Sequence, residues 1–215
     1  KNLWDKALKG ALISIQTSEM MSFIRNFVRH IVPLQSNPNL DDQSFSSRRF
    51  PNIVFKSLEK DSIVFGETLI HEADHQFLYI AESYYSFLNT NSNQENYYSP
   101  WRDDPRPLDG VFKGLSAFTR VCMYYHRLIN NCSPNYETEI LKILAHRYVQ
   151  SENAKQTLIE SQLLTETGQN YLREINRELF KVKGLLLARQ DGIIHVETAQ
   201  NKLDEHYRKF NLLQS

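Results

Sequence analysis

The stretch Thr68-Leu69-Ile70-His71-Glu72-Ala73-Asp74-His75-Gln76-Phe77-Leu78 carries the spacing His-Glu-x-x-His inside a periodic apolar pattern. Four residues are slightly more than one helical turn, so the rings of His71 and His75 leave the same face, one above the other. Two imidazoles placed in this way reach a single metal ion. Glu72 points away from the pair but stays close enough to touch a metal-bound water or orient a neighbour, the general-base role that this motif usually implies. Ile70, Ala73, Phe77, Ile80, Ala81, Tyr84 and Leu88 recur at threes and fours, so the spacing predicts a helix over about 66–88 with a buried stripe beside the histidines. Two stacked histidines on a solvated helix would read the same way; the strong periodicity around the motif favours the metal site.

A chain of 215 residues suits one domain and can bury a substantial core. Lysine plus arginine and aspartate plus glutamate both number 25, with no long run of one sign, which argues against a nucleic-acid surface. Cys122 and Cys132 are too few for a disulfide framework and form no Cys-x-x-Cys; they fit a reducing compartment, so a cytoplasmic location is expected. The opening Lys-Asn-Leu-Trp lacks the features of a signal peptide, and no apolar run approaches membrane-spanning length. The missing initiator Met suggests a trimmed terminus or a piece of a longer chain. Nothing in the sequence addresses the oligomeric state.

Residues 2–32 read as one or two helices, ended by Pro33, and 35–49 as a polar loop. Ile53-Val54-Phe55 and Ser62-Ile63-Val64-Phe65 are β-branched and aromatic runs separated by Glu59-Lys60-Asp61, which predicts a small hairpin ahead of the motif helix. A weaker strand signal lies at Ile193-Ile194-His195-Val196. Glu67 precedes His71 by four residues but lies roughly 12 Å along the axis from His75, so it reads as a partner of His71 and not as a ligand. After the polar connector 89–96, the segment Tyr97 to Gly110 holds Pro100, Pro105 and Pro107, which deny it helix and sheet and predict a stiff extended loop. Arg102, Arg106 and the aspartates on that loop look like a site; structural arginine–aspartate pairing is the competing reading. Helical periodicity resumes at Val111 to Tyr125, Tyr136 to Val149, Leu158 to Leu187 and Thr198 to Phe210. The expected fold is mainly α, a single domain over residues 1–215. It comprises N-terminal helices and a hairpin (1–65), the motif helix, proline-rich loop and next helix (66–130), and a helical scaffold (131–215).

Two histidines leave the site incomplete, and the third ligand decides the chemical class. The zincin pattern with a third histidine six residues on fails, because Leu78 and Ala81 stand where Gly and His belong. A peptidase-type glutamate is missing from 111–130; Glu137 and Glu139 are the nearest, and His126 is another candidate. A loop carboxylate, Asp104 or Asp103, would instead give two histidines and one carboxylate, the set used by non-heme Fe(II) oxygenases. Arg102 or Arg106 could then grip a dicarboxylate co-substrate through paired hydrogen bonds.

The segment Glu67 to His75 followed by Tyr98-Ser99-Pro100-Trp101-Arg102-Asp103-Asp104-Pro105-Arg106-Pro107-Leu108-Asp109-Gly110 resembles the HExxH-motif peptide-modification family, over about 45 residues. The resemblance implies Fe(II)- and 2-oxoglutarate-dependent β-hydroxylation of residues in a ribosomally made precursor peptide. It implies His71, His75 and Asp104 as iron ligands and Arg102 or Arg106 on the co-substrate. Glu72 would support the site, and Tyr97, Tyr98 and Trp101 would line a peptide or cofactor groove. The chain departs from the family in having no radical-SAM cysteine triplet, and in Lys113 and Phe118, which stand where members sometimes have histidine. The alternatives are a zinc metallopeptidase with Glu72 as base and a non-catalytic peptide-binding module with a structural metal.

Overall fold

Why the motif helix begins where it does is decided by Asp61. In the computed structural model, which describes residues 2–35, 43–89 and 97–214, its carboxylate accepts from the backbone N–H of Ile63 at 2.8 Å and of Val64 at 3.1 Å. That cap gives an acceptor to two of the four N–H donors a helix start leaves without a partner. The motif helix, α3, therefore spans Ser62–Ala81. The β-branched run 62–65 is its first turn, and the hairpin expected from that run does not form. The helix also stops seven residues short of Leu88: Ile80 and Tyr84 are 45% and 77% exposed, so the helical apolar stripe ends with it, and Phe87 and Leu88 reach the core from the segment beyond.

The other elements follow in order as α1 (Asn2–Thr17), α2 (Met21–Phe27), β1 (His30–Pro33), β2 (Ser44–Ser47) and β3 (Phe50–Lys56) ahead of α3. After it come α4 (Leu108–Ile129), α5 (Pro134–Ser161), α6 (Glu166–Leu187) and α7 (Gln190–Gln214). The fold is mainly α with a small sheet, as the periodicity predicts. Several boundaries differ from those read in the sequence. Glu19, at φ 58°, takes the left-handed conformation that separates α1 from α2. The helix expected to reach Pro33 ends at Phe27, and Pro33 closes an edge strand, where a missing N–H costs no ladder bond. The polar run expected to be only a loop contains β2; its residues 36–42, like 90–96 of the later connector, lie outside the described residues. Gln162, at φ 56°, ends α5, and Thr165 caps α6 by accepting from the Gly168 N–H at 3.0 Å, so the break falls later than expected. Ile193 to Val196 lie within α7, not in a strand.

The sheet order is β1-β3-β2, with β1 parallel and β2 antiparallel to β3. Phe45 stacks on Phe55 across the β2–β3 pair, ring centroids 4.6 Å apart. Two side chains of α3 fasten this pair to the helix. Gln76 donates to the carbonyls of Phe50 (3.3 Å) and Ile53 (3.2 Å) and accepts from the Asn52 N–H at 3.0 Å. Glu72, one turn earlier, accepts from Ser44. Helix α4 is the other wall, with Val111, Phe112, Leu115, Val121, Cys122, Tyr124 and Tyr125 buried against α3 and α5. Where α1 crosses α3, a Cβ on Gly66 would meet Ser14 Oγ and Tyr124 Oη at 2.6 Å, so the approach requires glycine. Among the described residues no helix is long and apolar enough to cross a membrane.

Candidate metal centre

His71 and His75 leave α3 on its partly buried face, and their Nε2 atoms stand 3.1 Å apart. Two nitrogens on one tetrahedral ion, at metal–nitrogen distances of about 2.0 to 2.1 Å, sit about 3.3 to 3.4 Å apart. The imidazoles thus already converge to within a few tenths of an ångström of a shared coordination sphere. Burial, the neighbouring His75 and the Arg147 guanidinium hold His71 well below the usual histidine pKa. It is a neutral donor near pH 7, the form that binds metal.

Glu72 is buried beside them. Ser44 Oγ, from β2, donates to its Oε1 at 2.9 Å, whereas its Oε2 has no hydrogen-bond partner. His75 Nδ1 is likewise buried without one. The orphaned Glu72 oxygen costs free energy unless something else satisfies it, and a hydrated cation at the imidazoles would do so; His75 Nδ1, across the ring from Nε2, is not reached by it.

On one side the pair is closed by aromatic rings. Phe118 meets His71 edge to face, centroids 4.7 Å apart, and Trp101 stacks on Phe118 at 4.7 Å. The Arg147 guanidinium sits over the same phenylalanine, 4.8 Å from its centroid. The proline-rich loop therefore does reach the site, through Trp101; Gly114 makes room, since a Cβ there would stand 2.8 Å from the indole. Position 118 brings a ring that cannot coordinate. On the other side Tyr79 lies 6.4 Å from His75, flanked by Arg48 and Lys113, both of which pair with Glu82.

Other expected site residues are elsewhere. Asp104 is exposed, its two oxygens accepting from Arg102 Nε at 2.9 Å and facing Arg106 Nε at 3.3 Å, and the Arg102 hydrogen bond holds its carboxyl below the usual range. The loop thus spends its carboxylate and both guanidiniums on one another. Among the described residues no three histidine, cysteine, aspartate or glutamate side chains group to hold a metal, so Asp104 does not join the histidines as a third ligand. The donors present fit an ion held by two imidazoles, with its other positions left to water, co-substrate or substrate. They do not include Asp104, and because Arg102 and Arg106 are engaged with it, a 2-oxoglutarate bound here would be held through the ion and not by these arginines. Tyr98 is buried against α7, its hydroxyl 2.7 Å from His206 Nδ1 and its ring packed on Tyr207 and Phe210, so it docks the C-terminal helix and lines no groove.

Glu67 does not orient His71. Its Oε2 accepts from Tyr125 Oη at 2.6 Å and its Oε1 from Arg147 at 2.8 and 2.9 Å. Arg147 also donates to Gln150, which donates to the Pro100 carbonyl at 2.7 Å. Two side chains of α5, Arg147 and Gln150, thereby tie the motif helix to the loop. Asp74, inside the motif, is fully buried and accepts from Ser116 and from Arg120 Nε at 3.0 Å. Ser44, Arg147 and Arg120 escape sequence reading, because each acts through a distant partner. The signal for Asp74 was there: it stands four residues after Ile70 and three before Phe77, a charge on the apolar stripe that must find a counter-charge. No protein-family model matches the chain, and no curated protein sequence matches it.

Proposed function

We propose that the protein is a metal-dependent enzyme acting on an extended polypeptide, and that the reaction is Fe(II)- and 2-oxoglutarate-dependent hydroxylation of a precursor peptide in a reducing, cytoplasmic setting. The observation that carries the metal is the 3.1 Å convergence of the two Nε2 atoms beside a buried carboxylate with a free oxygen. The reaction class is supported by the resemblance across residues 67–75 and 98–110, and by the packing of Trp101 against the ring that touches His71. The unpaired cysteines agree with the compartment.

A divalent ion bound here supplies Lewis-acid or redox chemistry at its open positions. The chain's own residues do the rest. His71 and His75 donate their Nε2 lone pairs. Ser44 fixes the Glu72 carboxylate by one oxygen, leaving the other to take or return a proton at the site. Strand β2, paired only on its β3 side among the described residues, offers an open edge next to Ser44 along which a peptide can add as a strand. Phe118, Trp101 and Tyr79 exclude water from either flank.

The free Glu72 oxygen favours a second reading, hydrolysis of the peptide with zinc and Glu72 as base. Protein loaded anaerobically with Fe(II), 2-oxoglutarate and peptide, then exposed to air, separates the two. Succinate and a peptide heavier by one oxygen are expected. Two shorter peptides, there or in a parallel incubation with Zn(II), would replace hydroxylation by hydrolysis, and an unchanged peptide in both incubations would overturn both.

A further inference from the structure

Between α5 and α7 lies a cavity of about 560 Å³ that no residue of β2 lines. Ile143, Ile194 and Ala199 give it an apolar lining, and Lys142, Lys202 and Arg147 bring positive charge; no acidic residue lines it. The chain as a whole is neutral, so this is a local excess of one sign. Arg147 is committed to Glu67, and Lys142 meets only Glu139, at 3.9 Å with both side chains more than half exposed. Lys202 has no ion-pair partner among the described residues. His146 and His195 also line the cavity, and His195 Nε2 is buried without a hydrogen-bond partner.

We propose that this cavity binds an amphipathic organic anion, an aliphatic chain ending in a carboxylate. The chain would lie on Ile143, Ile194 and Ala199, and the carboxylate would sit between Lys142 and Lys202 with His195 as a further donor. A volume of this size is in the range of small-molecule sites. An occupant touches Arg147, whose other contacts are Glu67 of the motif helix and the Phe118 ring against His71, so its binding can be felt at the metal centre. The binding itself needs neither metal nor peptide.

Calorimetric titration of the metal-free protein with octanoate, octylammonium and acetate tests it. Octanoate is expected to bind at least about tenfold tighter than either comparison ligand, one losing the charge match and the other the apolar contact. The doubly exposed change Lys142→Glu with Lys202→Glu, which touches no core, is expected to weaken octanoate by about tenfold or more. Equal binding of octanoate and octylammonium, unchanged affinity in the double variant, or no octanoate binding at millimolar concentration would each overturn the proposal.

Discussion

A carboxylate with one oxygen fixed by a serine and the other unpartnered is set up to exchange a proton at a fixed place. Glu72→Gln keeps the shape and the Ser44 hydrogen bond but removes the base. Under hydrolysis turnover should fall by about 100-fold or more, whereas hydroxylation, in which Glu72 only supports the site, should keep most of its rate; metal affinity changes little in either case, and a large loss of it would make Glu72 a ligand. His71 carries a pH signature of its own. Burial, His75 and Arg147 depress its folded-state pKa, and burial lowers His126 and His146 as well. The unfolded chain takes up these protons near pH 6.5 whereas the folded chain refuses them until lower pH. Stability of the metal-free protein is therefore full above about pH 6.5 and declines as the pH falls below it. His71→Asn, neutral at every pH, should flatten that decline in thermal melts between pH 7 and 5. An unchanged slope would mean that His71 is protonated as readily folded as unfolded.

At the level of elements, the motif helix is a hub held by buried polar contacts. Arg147 bonds Glu67, stacks on Phe118 and steadies Gln150, which holds the loop at Pro100. Arg147→Met leaves Glu67 buried without its cation, and such a loss costs about 3 kcal/mol, readable as a lowered denaturant midpoint. Gln76→Leu removes three bonds to the β3 region and should cost about 2 kcal/mol. How much of this was legible depends on which forces act locally. The histidine face of α3 follows from spacing alone, and so does α4. The first turn of α3 does not, because Ile63, Val64 and Phe65 favour a strand and only the Asp61 cap turns them into helix. Nor does β2: Ser44-Phe45-Ser46-Ser47 has little strand character of its own, and its place is set by pairing with β3 across the short turn at Arg48-Arg49, by Phe55, and by Glu72, 28 residues on.

For the molecule as a whole, the metal centre is where α3, α4, the edge strand and the proline-rich loop meet. The prolines of 97–110 foretell a loop, which ends at Pro107 because Leu108 to Gly110 are the first turn of α4; its base is pinned by Tyr97 and Arg106. They do not foretell direction: Trp101 turns inward onto Phe118, and Asp104 turns outward to its arginines. Composition cannot choose between those outcomes, because an aspartate between two arginines satisfies itself wherever the loop goes. Asp104→Asn should accordingly leave metal affinity unchanged within about twofold, as expected of an exposed ion pair, whereas a drop of two orders of magnitude would restore it as a ligand.

The most direct test is a Co(II) titration of the purified chain, followed by its visible absorption and by calorimetry, in parallel with His71→Ala and His75→Ala. The paired imidazoles predict one ion per chain and at least about a 100-fold loss of affinity in each variant. Ion binding that survives both substitutions, or no binding by the unaltered protein, would contradict a metal centre on this helix.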